Sequence, residues 1–202
     1  MATEIETPHG PARVHLHEAE NPRALLVLGH GAGGGVGAPD LVAATEAALA
    51  EGVTVALVEQ PYRVAGRRAP APAAQLDAAW IAVVDELRVR ELPLVDGGRS
   101  LGARVACRTA GETGAVAVLC LAFPVHPPGR PEKSRLAELD AVTVPVLVVQ
   151  GESDPFGMPP DAHGRTVVRV RGDHGLKADL PALRDAVSSW LGALPALRRR
   201  GR

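Results

Sequence analysis

The sequence predicts an α/β domain: a mostly parallel central sheet of about seven strands, helices on both faces, and no inserted lid. Two observations predict it. Continuous apolar runs recur along the chain, at 23–29 (RALLVLG), 53–59 (VTVALVE), 115–125 (AVAVLCLAFPV) and 144–151 (VPVLVVQG). A strand that is apolar at nearly every position is covered on both faces, as strands of a parallel sheet are. Between these runs lie segments with helical spacing of apolar residues, so strands and helices alternate.

The elements follow in order. ARVHLHEA alternates apolar and polar with a period of two, which predicts a half-exposed strand near 12–18. The run at 23–29 is a buried strand. Leu41, Val42, Thr45, Ala48 and Leu49 then fall at helical spacing, with Asp40 as N-cap and Gly52 just past the end. The strand at 53–59 stops before Pro61, and a long helix is expected over 73–91. PLVD is a short strand running into the Gly-rich turn GGRS, followed by a helix ending near Gly111. The run at 115–125 is a buried strand, and a helix is expected near 131–140 after a Pro-rich loop. A buried strand up to Gly151, a last strand at 166–171 and an amphipathic helix beginning LPALRDAV complete the pattern. No internal repeat or low-complexity linker interrupts it, so one domain over 1–202 is expected, with RRRGR at 198–202 as a frayed basic tail.

Composition narrows the function. The chain has 22 Lys+Arg and 23 Asp+Glu, a formal net charge of -1, whereas nucleic-acid-binding domains are usually basic. The longest apolar stretch, 114–125, is too short to span a bilayer. The opening MATEIETPHG lacks a basic segment followed by an apolar one, which favours a cytoplasmic address. Cys107 and Cys120 sit in apolar surroundings and read as small buried hydrophobes. The seven histidines show no metal-ligand spacing, so neither metal nor cofactor is expected. Aromatic residues make up only 2%, which implies a core of closely packed small aliphatic side chains.

The motif that carries chemistry is Gly98-Arg99-Ser100-Leu101-Gly102, a G-x-S-x-G sequence between the strand PLVD and the helix LGARVA. Five serines and 22 glycines in 202 residues give about 0.06 chance matches per chain, before strand–turn–helix context is demanded. In that context the serine stands on a sharp turn with its hydroxyl above the sheet edge. A serine hydroxyl needs a base, and the base needs an orienting partner. With this motif the partners follow in the order serine, acid, histidine. Asp154, in QGESDPFG, and His174, in RGDHGLK, each come straight after a strand. They therefore fall at the carboxyl ends of parallel strands, where open α/β sheets build their sites. Asp96, Asp161 and Asp173 are rival acids. The Gly-rich LGHGAGGG at 28–35 follows another strand and can offer backbone N–H groups to an oxyanion, with Ala32 and Leu101 as the expected donors. The same loop lacks the G-K-[ST] ending of a phosphate-binding loop.

Together these pieces resemble the α/β-hydrolase superfamily. More narrowly, GHGAGG (29–34), PYRVAGRRAP (61–70), GGRSLGARVA (97–106), FPVHPPGRPEK (123–133), VQGESDPFG (149–157) and GDHGLK (172–177) are similar to a small lid-less branch near the dienelactone hydrolases. That branch includes testis-expressed hydrolase-like proteins and a subunit of a non-specific-lethal chromatin complex. The resemblance implies the α/β-hydrolase fold, with Ser100 as nucleophile, Asp154 as acid and His174 as base. True dienelactone hydrolases use Cys where this chain has Ser100, which sets their substrate apart. His30, Tyr62, Arg63 and His126 are candidates to line the substrate site. Arg63, Arg67 and Arg68 either reach its rim or pin their own loop, and His126 either walls the pocket or orders its Pro-flanked loop. The expected function is cleavage of an ester, thioester or related acyl bond. The alternatives are a non-catalytic binding scaffold and an acyltransferase or perhydrolase using the same residues. The expected partner is a small acyl substrate, with no nucleic acid and no membrane, and a homodimer is left open.

Overall fold

A computed structural model describes residues 2–88 and 91–197. The basic tail at 198–202 and residues 89–90 of the helix expected over 73–91 lie outside the described residues. Eight strands form one sheet: β1 (Ala2–Ile5), β2 (Ala12–His17), β3 (Ala24–Gly29), β4 (Val53–Glu59), β5 (Leu94–Arg99), β6 (Ala117–Leu121), β7 (Val146–Gly151) and β8 (Arg165–Val170). Their order is β1-β2-β4-β3-β5-β6-β7-β8. The pairs β1–β2 and β2–β4 are antiparallel, and the rest are parallel.

The sheet thus has one strand more than the seven expected. The addition, β1, reads ATEI and is mostly exposed, so no apolar pattern marks it. Its register is supplied by β2 instead, with Ala2 opposite His15 and Ile5 opposite Ala12.

The apolar strands send successive side chains to opposite faces. Leu25 and Val27 of β3 join Trp80, Val83 and Val84 of α3 (Ala73–Leu87) and Ala103 and Ala106 of α4 (Leu101–Thr113). Leu26 and Leu28 join Leu41 and Ala44 of α1 (Pro39–Ala50) and Leu183, Val187 and Leu191 of α6 (Leu180–Ala193). All six residues of β3 are buried, which is why its sequence does not alternate. Short side chains such as Ala43, Ala44, Ala47 and Ala48 let α1 lie close against the sheet.

Three local expectations are revised. The helix expected at 131–140 forms only as α5 (Leu136–Asp140), because turns at Arg130 and Lys133, each donating its N–H three residues back, occupy the Pro-rich stretch. Pro61 does not merely stop β4; it starts the one-turn α2 (Pro61–Val64). In α1 the N-cap is Ala38, and Asp40 lies in the first turn with its side chain buried.

The chain order positions the site. The connection from β3 runs to β4 on one side, and the next connection, through α3, brings β5 to the other side. Neighbouring loops leave β3 and β5 in opposite directions, opening a crevice beyond their carboxyl ends, where α/β sheets bind ligands.

An ionisable carboxyl sits inside this core. Asp96 of β5 is 0% exposed, and the Thr113 hydroxyl donates to its Oδ2 at 2.6 Å. Burial pushes the carboxyl up to about 6, against the opposing effect of Thr113 and the Trp80 indole. A carboxyl raised by folding binds more protons in the native than in the unfolded chain, so its contribution to stability falls as pH rises from about 4 to about 6. Asp96→Asn removes that penalty while leaving an acceptor for Thr113. The stability of the variant relative to wild type should therefore rise between pH 4 and 7, by up to about 3 kcal/mol. Thermal melts of both proteins across that range check this, and a difference that stays flat contradicts it.

Candidate active site

Ser100 stands between β5 and α4 with φ 52° and ψ −104°, a conformation that L side chains rarely adopt. Its own N–H donates to Leu121 O of β6 at 2.9 Å, and the Gly102 N–H donates to His30 O at 3.1 Å. The flanking glycines are needed for contact rather than for torsion. A Cβ on Gly98 would lie 2.6 Å from Gly29 O, and one on Gly102 would overlap Gly29 backbone directly. Bare backbone at these positions lets β3, β5 and the first turn of α4 close on one another.

The acid and the histidine come from the next two loops. Asp154 follows β7, and His174 follows β8. These loops are joined by Glu152 N–H to Val170 O (2.9 Å), by Ser153 N–H to Gly172 O (3.0 Å) and by the Ser153 hydroxyl to the same carbonyl (2.9 Å). His174 Nδ1 lies 2.8 Å from Asp154 Oδ2, and its Nε2 lies 2.9 Å from Ser100 Oγ. With Asp154 ionised, Nδ1–H donates to the carboxylate and the Ser100 hydroxyl donates to Nε2. The Asp154 side chain is 1% exposed and that of His174 17%, so the acid is walled in while the histidine meets the opening.

Two residues that sequence reasoning missed hold this acid. The Phe156 N–H donates to Asp154 Oδ1 at 2.8 Å, and the Phe156 ring stacks on His174 with centroids 4.1 Å apart. The buried Gln150 amide lies 2.8 Å from Asp154 Oδ2, 2.8 Å from Gly157 O and 3.1 Å from Phe123 O. The rival acids are elsewhere. Asp96 is in the core, Asp161 accepts from the Val167 N–H, and Asp173 accepts from the Gly175 N–H.

The loop after β3 passes over Ser100 at Gly31, where a Cβ would lie 3.7 Å from Ser100 Cβ. Leu101 is the first residue of α4, with its backbone next to Ser100. Ala32 follows Gly31 and accepts from the Tyr62 hydroxyl at 3.0 Å.

The remaining candidates are brought near but mostly beneath the site. His30 is 1% exposed; its Nε2 accepts from the Gln60 N–H at 3.2 Å, so its Nδ1–H donates to Gly31 O at 2.8 Å. Burial holds His30 below the usual imidazole value, helped by Arg63 and opposed by the Gly31 carbonyl. It is a brace under the loop rather than a surface of the opening. Tyr62 is 4% exposed and braces the same loop through Ala32. Arg63 reaches Arg67 O at 3.5 Å, within its own loop. The His126 N–H donates to Phe156 O at 3.1 Å, and its ring packs against Gly157, so it backs the Asp154 turn.

An eight-stranded α/β sheet with a serine elbow at its switch point, and a histidine and acid on the last two strand ends, defines an α/β-hydrolase-like protein. The sequence agrees: the profile of the alpha/beta hydrolase domain family matches residues 22–179, and the chain belongs to that family. No curated protein is significantly similar in sequence. Among solved structures, a serine hydrolase from Xanthomonas campestris described as lacking a lid is 23% identical, with TM-score 0.75 over 95% of this chain and 93% of that one. Est1E from Butyrivibrio proteoclasticus is 17% identical (TM-score 0.74; 94% and 97% covered). A dienelactone hydrolase from Anabaena variabilis is 16% identical (TM-score 0.71; 95% and 95% covered).

The elbow's close packing gives a direct test. Gly98→Ala places a methyl group against backbone that no rotamer change can move aside. It should destabilise the protein by about 1–3 kcal/mol, as overpacking does, and displace Ser100. A melt and a rate measurement should fall together. A variant as stable and as reactive as wild type would show that the contact is not tight.

Proposed function

We propose that this protein is a serine hydrolase that cleaves an ester, thioester or related acyl bond through an acyl-enzyme. The single observation that carries the reading is the hydrogen-bonded line Asp154–His174–Ser100, with links of 2.8 and 2.9 Å. Ser100 Oγ attacks the acyl carbon as its proton passes to His174 Nε2. The imidazolium is stabilised by Asp154 across Nδ1–H. The tetrahedral oxyanion is held by the backbone N–H groups of Leu101 and Ala32. Collapse expels the alkoxide or thiolate, which takes the proton from Nε2 and leaves Ser100 acylated. Water then attacks, His174 takes its proton, and the second tetrahedral species returns free acid and Ser100.

The substrate is a small acyl compound, in keeping with an expected open, lid-less site. The reading assigns Arg63 and His126 to its margins, and His30 and Tyr62 shape the loop that carries Ala32. GGRS and HPPG-x-PEK support placing the chain in the small lid-less branch with the testis-expressed and non-specific-lethal-complex proteins. Among the described residues no helix is long and apolar enough to cross a membrane.

A fluorophosphonate probe followed by peptide mass spectrometry tests the reading. It should label Ser100 and none of Ser134, Ser153, Ser188 or Ser189. Ser100→Ala should abolish labelling and lower esterase turnover by roughly 10⁴-fold or more. Asp154→Asn should fold normally yet lower turnover by up to about 10⁴-fold, because Asn favours the wrong imidazole tautomer. A folded wild type that takes no label would leave a binding scaffold as the function.

A further inference from the structure

Arg99, the residue before Ser100, places one guanidinium among three loops. Its Nε lies 2.8 Å from Asp40 Oδ2, at the start of α1. Its Nη2 donates to the backbone carbonyl of His174 at 2.9 Å. Its Nη1 lies under Gly31, where a Cβ would approach to 2.7 Å. The group is thus in contact with the histidine loop and with the loop that crosses Ser100, and it leaves the backbone one residue from Ser100 itself. Asp40 fixes it from behind. That carboxylate is 0% exposed, and its Oδ1 accepts from the Leu41 N–H at 3.0 Å. Burial pushes Asp40 above the usual carboxylate range, and Arg99 pulls it back towards the charged form.

The loop it supports is also anchored where Val36 and Ala38 pack against the core, towards α1. A Cβ on Gly33, Gly35 or Gly37 would meet nothing within 4 Å. Between those ends the glycines make few contacts, so the part nearest Ser100 is set at its start, where Gly31 rests on Arg99 and Ala32 on the Tyr62 hydroxyl. A guanidinium is planar and presents its N–H groups in fixed directions, so the hydrogen bond from Nη2 to the His174 carbonyl also sets where Nη1 lies under Gly31, while the ion pair with Asp40 holds the charge in place. A lysine ammonium at this position has no such plane.

We propose that the Arg99–Asp40 pair is a positioning device, which sets His174 and the Gly31–Ala32 loop about Ser100 without itself touching substrate. This rests on the serine-hydrolase reading. The pair makes the relative placement of nucleophile, base and oxyanion loop depend on one ion pair anchored in α1. Its loss should act on the chemical step, because a displacement of about 1 Å at a reacting centre costs on the order of 10²-fold in rate.

The test separates positioning from stability. Arg99→Met leaves Asp40 buried and unpaired, so it should lower the melting temperature as well as the rate. The double variant Arg99→Met/Asp40→Asn removes both charges and should regain most of the lost melting temperature. Its kcat on p-nitrophenyl acetate should nevertheless stay about 10–100-fold below wild type, with KM changed little, and the rate of Ser100 labelling by fluorophosphonate should fall in parallel. Arg99→Lys should keep the melting temperature near wild type and still show the low kcat. A double variant that recovers kcat together with stability would show that the pair only holds the fold, and so would a lysine variant with full activity. The two readings fail separately. A wild type that takes no label at Ser100 overturns the serine-hydrolase reading and this proposal with it. A labelled wild type matched in rate by the double variant overturns this proposal alone.

Discussion

The rest of the site depends on a backbone contact: Gly29 at the end of β3 against Gly98 and Gly102 on either side of the serine turn. Ser100 has φ of 52°, a cost that a free turn would shed by relaxing. It cannot relax here, because β5 pairs with both β3 and β6, α4 starts at once, and the Ser100 N–H is held by Leu121 O. The same closeness brings the loop after β3 over the serine, so the serine turn and that loop are placed by one event of packing. Trp80 seals it from below, its ring carbon 3.1 Å from where a Gly29 Cβ would sit. This explains why a chain with so few aromatics buries its Trp80 completely at this point.

The histidine and the acid are placed by a second, largely separate set of contacts. Gly151 and Gly172 let the loops after β7 and β8 run side by side, with Ser153 bonded to Gly172 through both its N–H and its hydroxyl. Asp154 is then fixed by Gln150 from its own strand and by the Phe156 N–H from its own turn. The carboxylate thus receives donors at both oxygens besides His174, which keeps its charge supported away from water. Arg99 is one link between the two sets, since it leaves the serine turn and bonds the His174 carbonyl.

What the sequence discloses follows from how local the information is. Ser100 was legible because strand, turn and helix are written in about ten consecutive residues, with both glycines in register. Asp154 and His174 were legible because each follows a strand, β7 being fully buried. β1 was not, since ATEI is exposed and its strand character comes from pairing with β2. Nor were the contacts of Gln150, Phe156 and Arg99: whether such residues meet a carboxylate, an imidazole or a carbonyl is decided by where separate loops converge. His30 shows the same limit in reverse. The sequence makes it a candidate to line the substrate site, but Gln60 and Gly31 take both ring nitrogens and draw it inside.

Several of the buried polar residues sit close to the site, and the placement has a physical consequence. His30 and Gln60 lie under the loop after β3, Asp40 beside it, Gln150 under the acid turn, and Asp96 within the strand that leads to Ser100. An apolar core of Ala, Val and Leu packs well but allows neighbouring layers to slide, because dispersion forces have little direction. Hydrogen bonds and ion pairs have direction, and in a low-dielectric surrounding an unmade one is costly. Setting such groups beneath the loops therefore ties each loop to one arrangement while the aliphatic layers supply the bulk of the stability. The cost is visible at Asp96 and Asp40, whose carboxyls burial pushes upward. On the proposed reading that cost has a use: a serine, an imidazole and two backbone donors from separate loops stay in reacting geometry without any one of them being held by its own segment alone.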